Sequence, residues 1–516
     1  MSWSEHLIAV PVVLPLASGA LMLLLDEQRL ALKAAISVTS VFALLAAALL
    51  LAMLAEAPIG RVYALGDWPA PFGIVLVADR LAAVMVLLAA VLGLAAMLFS
   101  LARWHRAGPR FHSLVQFMLM GLNGAFLTGD LFNLFVFFEL LLTASYGLAL
   151  YGSGTPRVRA SLHYIVINLT ASLFFLVGVS LLYGVTGTLN MADLALRIPA
   201  VDAADRVLVE AGAAVLGIAF LVKAGMWPLC FWLPSTYAAA SAPAAALFSI
   251  LSKVGLYAVL RLWLLFFGAG VGGELLLYGG MATLAFGIIG VLASQELGRL
   301  AGYSLLVSSG TLLTAIGIGN AAVTGAALYY LVVSTLGIAA LFLLIELVQR
   351  SRGPGADMLA VTAEAFGLEA EEEPEEEPGV AIPGTMALLG LSFGCCALLV
   401  AGLPPLPGFV AKFALLAAVL DPAPIALTAW SLLALLSLSG LASIIAMARA
   451  GVRIFWASEE RSVPRVRVIE MAPIAALLAL CLVLTAAAGP AMRYLQDAAH
   501  ALHTPAAYTD RVLSPQ

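Results

Sequence analysis

The chain has 516 residues, 63% of them hydrophobic and only 11% charged, with a formal net charge of -5 and a mean hydropathy of +1.06. A soluble globular chain carries about 25% charged residues, so these values exclude a string of soluble domains and call for a bundle of membrane-spanning helices. Much of the negative charge sits in one run, Glu369 to Glu377, and no basic stripe accompanies it, so nucleic acid is not an expected partner.

Glu5 and His6 precede the first apolar run without a basic segment, which predicts a retained first helix rather than a cleaved signal. Apolar stretches long enough to span then recur near 7–25, 34–55, 79–101, 112–130, 132–151, 161–184, 208–232, 244–267, 273–294, 300–319, 322–348, 382–418 (broken), 424–448 and 470–489. The expected fold is therefore an all-α polytopic membrane protein with about fourteen transmembrane helices. The run Glu369–Glu377, interrupted by Pro374, reads as a solvated loop near 351–381. Thr504–Gln516 reads as a short exposed tail. Cys230, Cys395, Cys396 and Cys481 lie in apolar segments without C-x-x-C or Cys/His spacing, so no metal or cofactor is expected.

Alternate loops are basic. One set carries Arg29, Lys33, Arg103, Arg106, Arg110, Arg157, Arg159, Arg299, Arg350, Arg352, Arg449, Arg453, Arg461, Arg465 and Arg467. The other carries only Arg61, Arg197, Arg206, Arg493 and Arg511. Basic loops stay in the cytoplasm, which predicts both termini on the outer side.

Two helices are interrupted. The first break contains Lys223, Gly225, Trp227 and Pro228; the second runs through Gly402, Pro404, Pro405, Pro407 and Gly408 to Lys412. Proline removes a backbone donor and disrupts the preceding turn, and freed backbone groups are tolerated at depth only against protein or water. Hydrated cavities are expected at both breaks. A pair of interrupted segments in two halves of a transporter predicts inverted repeats. The expected division is residues 1–111 as three N-terminal helices, 112–267 and 268–450 as the repeats, and 451–516 as the last transmembrane helix and tail.

Of the four lysines, Lys33 lies at a helix end, whereas Lys223, Lys253 and Lys412 lie within apolar segments, as does Glu139. A charge at the bilayer centre costs about 2.5–3.5 kcal/mol, so four together cost on the order of 10 kcal/mol and call for a functional reason. Burial penalises the charged form of an amine, and a nearby carboxylate restores it. A carboxylate at about 6 Å, at an effective dielectric near 20, is worth roughly 3 kcal/mol, so making and breaking a Glu139–Lys223 pair switches proton affinity. His163, Ser308, Ser309, Ser334 and Thr335 are candidates to line a water path. Asp79 and Arg80 are expected to pair or snorkel at a helix end, and Asp130 and Asn133 to form a turn and cap.

Glu139 in FVFFELLLTASYGL, Lys223 in FLVKAGMWPLCFWLPSTYAAASAP, Lys253 in LSKVGLYAVLR and Lys412 in GLPPLPGFVAKFALL resemble the antiporter-like subunits shared by complex I and Mrp-type cation/proton antiporters. The resemblance is closest to the D-type subunit of Mrp/Pha multisubunit Na⁺ or K⁺/H⁺ antiporters, and it covers most of the chain. It implies fourteen helices with two inverted five-helix repeats and two broken helices. It also implies a Glu139–Lys223 charge pair, Lys253 as central proton carrier and Lys412 as the carrier beside the second break. Where the family pattern carries histidines, and often a lysine, this chain has Ser308, Val333, Ser334 and Ile338. The link between Lys253 and Lys412 is therefore expected to be water held by Ser308, Ser334 or Thr335.

The expected function is proton translocation in a multisubunit monovalent cation (K⁺ or Na⁺)/proton antiporter of a bacterial inner membrane, serving pH homeostasis. Its expected partners are other membrane subunits, membrane lipid, protons and a monovalent cation; no enzymatic activity is expected of the chain itself. The alternatives are a non-redox proton-pumping subunit of a complex I or hydrogenase-type oxidoreductase, and a scaffold subunit without flux.

Overall fold

The computed structural model describes residues 6–55, 61–152, 154–268, 270–350, 384–421, 425–455 and 466–514. The acidic run Glu369–Glu377, Arg352, Arg461 and Arg465 lie outside the described residues. In chain order the helices are α1 (Val10–Leu24), α2 (Leu30–Leu54), α3 (Arg80–Ser100), α4 (Phe111–Leu127), α5 (Leu131–Ala149), α6 (Thr155–Thr186), α7 (Met191–Arg197), α8 (Arg206–Ala224), α9 (Trp232–Ala239) and α10 (Ala242–Phe248). They continue as α11 (Leu251–Phe267), α12 (Gly273–Ala293), α13 (Leu297–Ile318), α14 (Ala321–Gln349), α15 (Gly384–Ala401), α16 (Pro407–Leu420), α17 (Leu427–Phe455), α18 (Val468–Ala486), α19 (Ala488–Leu502) and α20 (Pro505–Leu513).

Among the described residues, twelve helical segments are long and apolar enough to cross a bilayer, α10 and α11 forming one of them; α1, α4 and α16 are shorter apolar helices. Polar caps start several helices. Asp79 accepts from the Ala82 backbone N–H (2.8 Å), and Asp130 accepts from that of Asn133 (2.9 Å). The expected Asp130–Asn133 turn is thus a cap of α5. Asp79 binds Arg261 and Arg80 binds Asp497, each at 2.7 Å.

Helix seams are made where small residues let backbones meet. A Cβ on Gly310 of α13 would lie 2.4 Å from the Leu284 backbone nitrogen of α12. In α1, Pro15 supplies no N–H for the Pro11 carbonyl, and the Asn123 side-chain amide of α4 donates to that carbonyl at 2.9 Å.

One end of the bundle carries a small cap. Strands β1 (Arg61–Ala64) and β2 (Val75–Ala78) pair antiparallel, with Arg61 opposite Ala78. Leu76 bridges to Thr128 and Asp130 to Asn190, the cap residue of α7. The expected exposed tail at Thr504–Gln516 is instead helical over Pro505–Leu513. Val512 is buried with Ala64, Val75, Val77 and Ala192. Its few apolar residues fall on one face, too short a pattern to stand out in the sequence.

Candidate functional site

Lys223, Lys253 and Lys412 are all buried, with Lys253 fully enclosed at 0% exposure. Glycine brings the first two elements together. A Cβ at Gly255, two residues after Lys253, would sit 2.5 Å from the Ala224 backbone nitrogen and 2.9 Å from the Lys223 carbonyl carbon. Hence α11 rests directly on the end of α8 where Lys223 is carried. Helix α11 is itself interrupted just upstream, since α10 ends at Phe248 and α11 begins at Leu251.

The Lys223 amine donates to Ser172 of α6 (3.4 Å) and lies 5.1 Å from the centroid of the Phe138 ring. Glu139, the next residue, is partly buried, and its Oε1 is buried without a hydrogen-bond partner. Glu139 makes no direct contact ion pair among the described residues, yet it is the carboxylate that acts electrostatically on Lys223, whose amine also faces an aromatic ring and a hydroxyl.

The Lys253 amine donates to Ser308 Oγ of α13 at 2.7 Å, and Ser308 Oγ shares a hydrogen bond of 2.9 Å with Ser334 Oγ of α14. Each serine hydroxyl has one donor and two acceptor sites, so the row can pass a proton by rotation. Ser309 is buried with its hydroxyl unpartnered, while Thr335 donates to Leu331 O (2.6 Å) in its own helix. His163 stands apart, exposed on α6 with Nδ1 3.0 Å from Arg159 O.

At the second break, α15 stops at Ala401 and Gly402 adopts φ +76°. The last carbonyls of a helix lack intrahelical donors. Lys412, on α16, donates to Ala401 O at 2.9 Å and to Ser439 Oγ of α17 at 3.3 Å. Its stem runs over Gly402, where a Cβ would be 2.6 Å from Lys412 Cδ; a Cβ at Gly408 would be 2.4 Å from Leu399 O. Pro404 and Pro405 form the turn and Pro407 opens α16. A cavity of about 20 Å³ borders this break and is lined by Ser334, Tyr330, Gly408 and Ser443. That is room for about one water. Ser443 Oγ donates to Ser439 O (2.8 Å), so the cavity stands between the Lys253 row and the Lys412 site. At the first break, the Trp227 backbone N–H donates to Thr283 Oγ1 of α12 (2.8 Å), and the Trp227 side chain is 42% exposed beside exposed Pro228.

Ser172, Ser439 and Ser443 carry no signal in the sequence, because serines are ordinary in packed membrane helices. Lys33, expected at a helix end, is only 2% exposed and pairs with Glu27 at 3.1 Å.

Residues 128–437 match the family described as NADH:quinone oxidoreductase/Mrp antiporter, transmembrane. The chain is 58% identical to the D-type subunit of the probable K⁺/H⁺ antiporter of Rhizobium meliloti, over 99% of this chain and 98% of the relative. It is 34% identical to the D-type subunit of the Na⁺/H⁺ antiporter of Alkalihalophilus pseudofirmus, over 99% of both. Among solved structures it is similar to a chain of the Mrp complex from Dietzia sp. DQ12-45-1b (TM-score 0.84, 26% identity, 100% of both chains). A chain of the archaeal membrane-bound sulfane sulfur reductase shares the fold (TM-score 0.84, 24% identity, 99% of this chain and 100% of that one).

Proposed function

The chain belongs to the transmembrane family shared by NADH:quinone oxidoreductase and Mrp antiporters, and from that premise we propose that it is the proton-translocating D-type subunit of a multisubunit K⁺/H⁺ antiporter. The relative at 58% identity is named for K⁺ and the one at 34% for Na⁺, which favours K⁺ as the exchanged cation. Fourteen spans follow when α8 with α9 and α15 with α16 are each counted as one broken span. Residues 112–267 and 268–450 then form the inverted repeats. Both termini lie outside a bacterial inner membrane.

The proton moves from Glu139 and Lys223 to Lys253, then to Lys412. The observation that carries this reading is the hydrogen-bonded row Lys253–Ser308–Ser334, which ends at a water-sized cavity shared with Ser443 beside the Lys412 site. Approach of Glu139 to Lys223 drives the switch: at about 6 Å and an effective dielectric near 20 it is worth roughly 3 kcal/mol, comparable to the 2.3 kcal/mol or so of a charge crossing 100 mV. No carboxylate pairs with Lys253 or Lys412 among the described residues, so partner subunits shape the cation path.

The test is cation-induced proton movement in everted vesicles carrying the whole complex, in a host without other antiporters. Lys253→Ala and Lys412→Ala abolish K⁺/H⁺ exchange, and Ser308→Ala with Ser334→Ala lowers it at least several-fold. Normal exchange by assembled Lys253→Ala complex overturns the relay.

A further inference from the structure

Lys253 faces two directions, and only one of them is built to pass a proton. Towards α13 and α14 it meets hydroxyls that both donate and accept. Along α11 it is followed at successive i, i+4 positions by Tyr257 and Arg261, both 4% exposed. Such spacing places all three on one helix face, with Arg261 about 12 Å further along the axis.

This second direction ends at the cap. Arg261 Nη2 binds Asp79 Oδ1 at 2.7 Å. The guanidinium lies 5.1 Å from the Tyr257 ring centroid and 5.6 Å from that of Tyr508, so it is held between two aromatic faces. Tyr257 donates its hydroxyl proton to Phe126 O at 2.6 Å. Beyond the pair lies a cavity of about 60 Å³ lined by Asp79, Arg261, Tyr508 and Arg511, large enough for several waters. Tyr508 belongs to α20, which Val512 fastens to both strands of the cap.

We infer that the Arg261–Asp79 pair, clamped by Tyr257 and Tyr508, is a plug that closes the Lys253 branch of the proton path at the cap end, and that α20 is its retaining lid. Arginine keeps its proton at every working pH, so Arg261 cannot relay one. Its fixed positive charge instead disfavours a hydrated proton arriving from the cavity. Asp79 holds it in place and keeps the buried charge paired. With this branch closed, a proton on Lys253 leaves through Ser308 and Ser334 towards Lys412. This assignment rests on the reading of Lys253 as a carrier.

The experiment measures the proton leak of energised everted vesicles carrying the whole complex, with no exchangeable cation present, alongside K⁺/H⁺ exchange. Arg261→Gln is expected to raise the leak roughly tenfold, equivalent to about 1.4 kcal/mol of barrier. Adding Lys253→Ala to Arg261→Gln is expected to abolish the leak, because protons reach the cavity through that lysine. Assembled Arg261→Gln complex with vesicles as tight as wild type overturns the plug, as does a leak that survives Lys253→Ala. Should Arg261→Gln fail to assemble, Tyr508→Ala unclamps the same pair and is judged by the same leak. The two readings fail separately: normal exchange by Lys253→Ala sinks the relay, whereas lost exchange in Lys253→Ala with a tight Arg261→Gln sinks the plug alone.

Discussion

A lysine at depth can relay a proton only if a neighbouring group can take it, and in the proposed relay the group beside Lys253 is a single hydroxyl. Ser308 both receives the amine and faces Ser334. Removing that hydroxyl leaves a buried amine without its partner, at about 1.5–3 kcal/mol for a hydrogen bond to a charged group. Ser308→Ala is expected to slow K⁺/H⁺ exchange about tenfold or more, with Ser308→Thr near wild type in the same vesicle assay. The lysines are legible in the sequence because charges inside apolar runs are rare, and the serines are legible only as substitutes for expected histidines. Arg261 carries the same signal as the lysines, a charge eight residues beyond Lys253, yet its role emerges only with Asp79 and Tyr508 beside it. A second residue, His105, gives a pH signature. Burial, reinforced by Arg106, holds its imidazole below the ordinary histidine value, and its ring packs 5.7 Å from that of His112. The unfolded chain therefore binds a proton there that the folded chain resists. The associated stability is complete above about pH 6.5 and is lost as the pH falls below it. Thermal unfolding of the purified complex is expected to shift down between about pH 7.5 and about pH 5.5, and less so in His105→Gln.

At the scale of elements, the breaks are readable because glycine and proline punctuate helices whatever the tertiary context. What fills the first break is not readable, since it comes from another helix: Thr283 at Trp227. At the second, Lys412 is readable beside the break, but its carbonyl partner at Ala401 is not. The closeness of α8 and α11 is equally hidden. Gly255 looks in sequence like any helix glycine, yet a side chain there would strike the backbone of Lys223 and Ala224. Gly255→Val is expected to lose about 1–3 kcal/mol through overpacking and to lower both the melting temperature and exchange. Gly394→Ala, whose Cβ would meet nothing within 4 Å, serves as the neutral control. Likewise, nothing in the sequence tells that the Lys223 amine faces the ring of Phe138, the residue before Glu139.

At the scale of the molecule, composition alone settles the membrane class, because few folds tolerate so little charge. The cap escapes a sequence reading because a nine-residue helix and two four-residue strands carry too short a pattern. The basic residues at alternate loops make orientation testable. Cysteine placed at Trp68, which is 66% exposed in the cap, is expected to react with an impermeant maleimide from outside intact cells. Cysteine at exposed Arg106 is expected to react only after permeabilisation. Cys230, Cys396 and Cys481 are buried and Cys395 is half-buried, so the native background is low; the reverse labelling pattern would invert the topology.

The acceptor that Lys412 finds at Ala401 belongs to the main chain, and no codon specifies a carbonyl. Every amino acid at position 401 supplies the same oxygen, so a side-chain scan there reports only packing and leaves the contact itself invisible. The heritable information for it lies in the neighbours that decide where the helix ends, Gly402 and the prolines that follow. In the proposed relay a part of the machinery is thus written as punctuation rather than as a functional group.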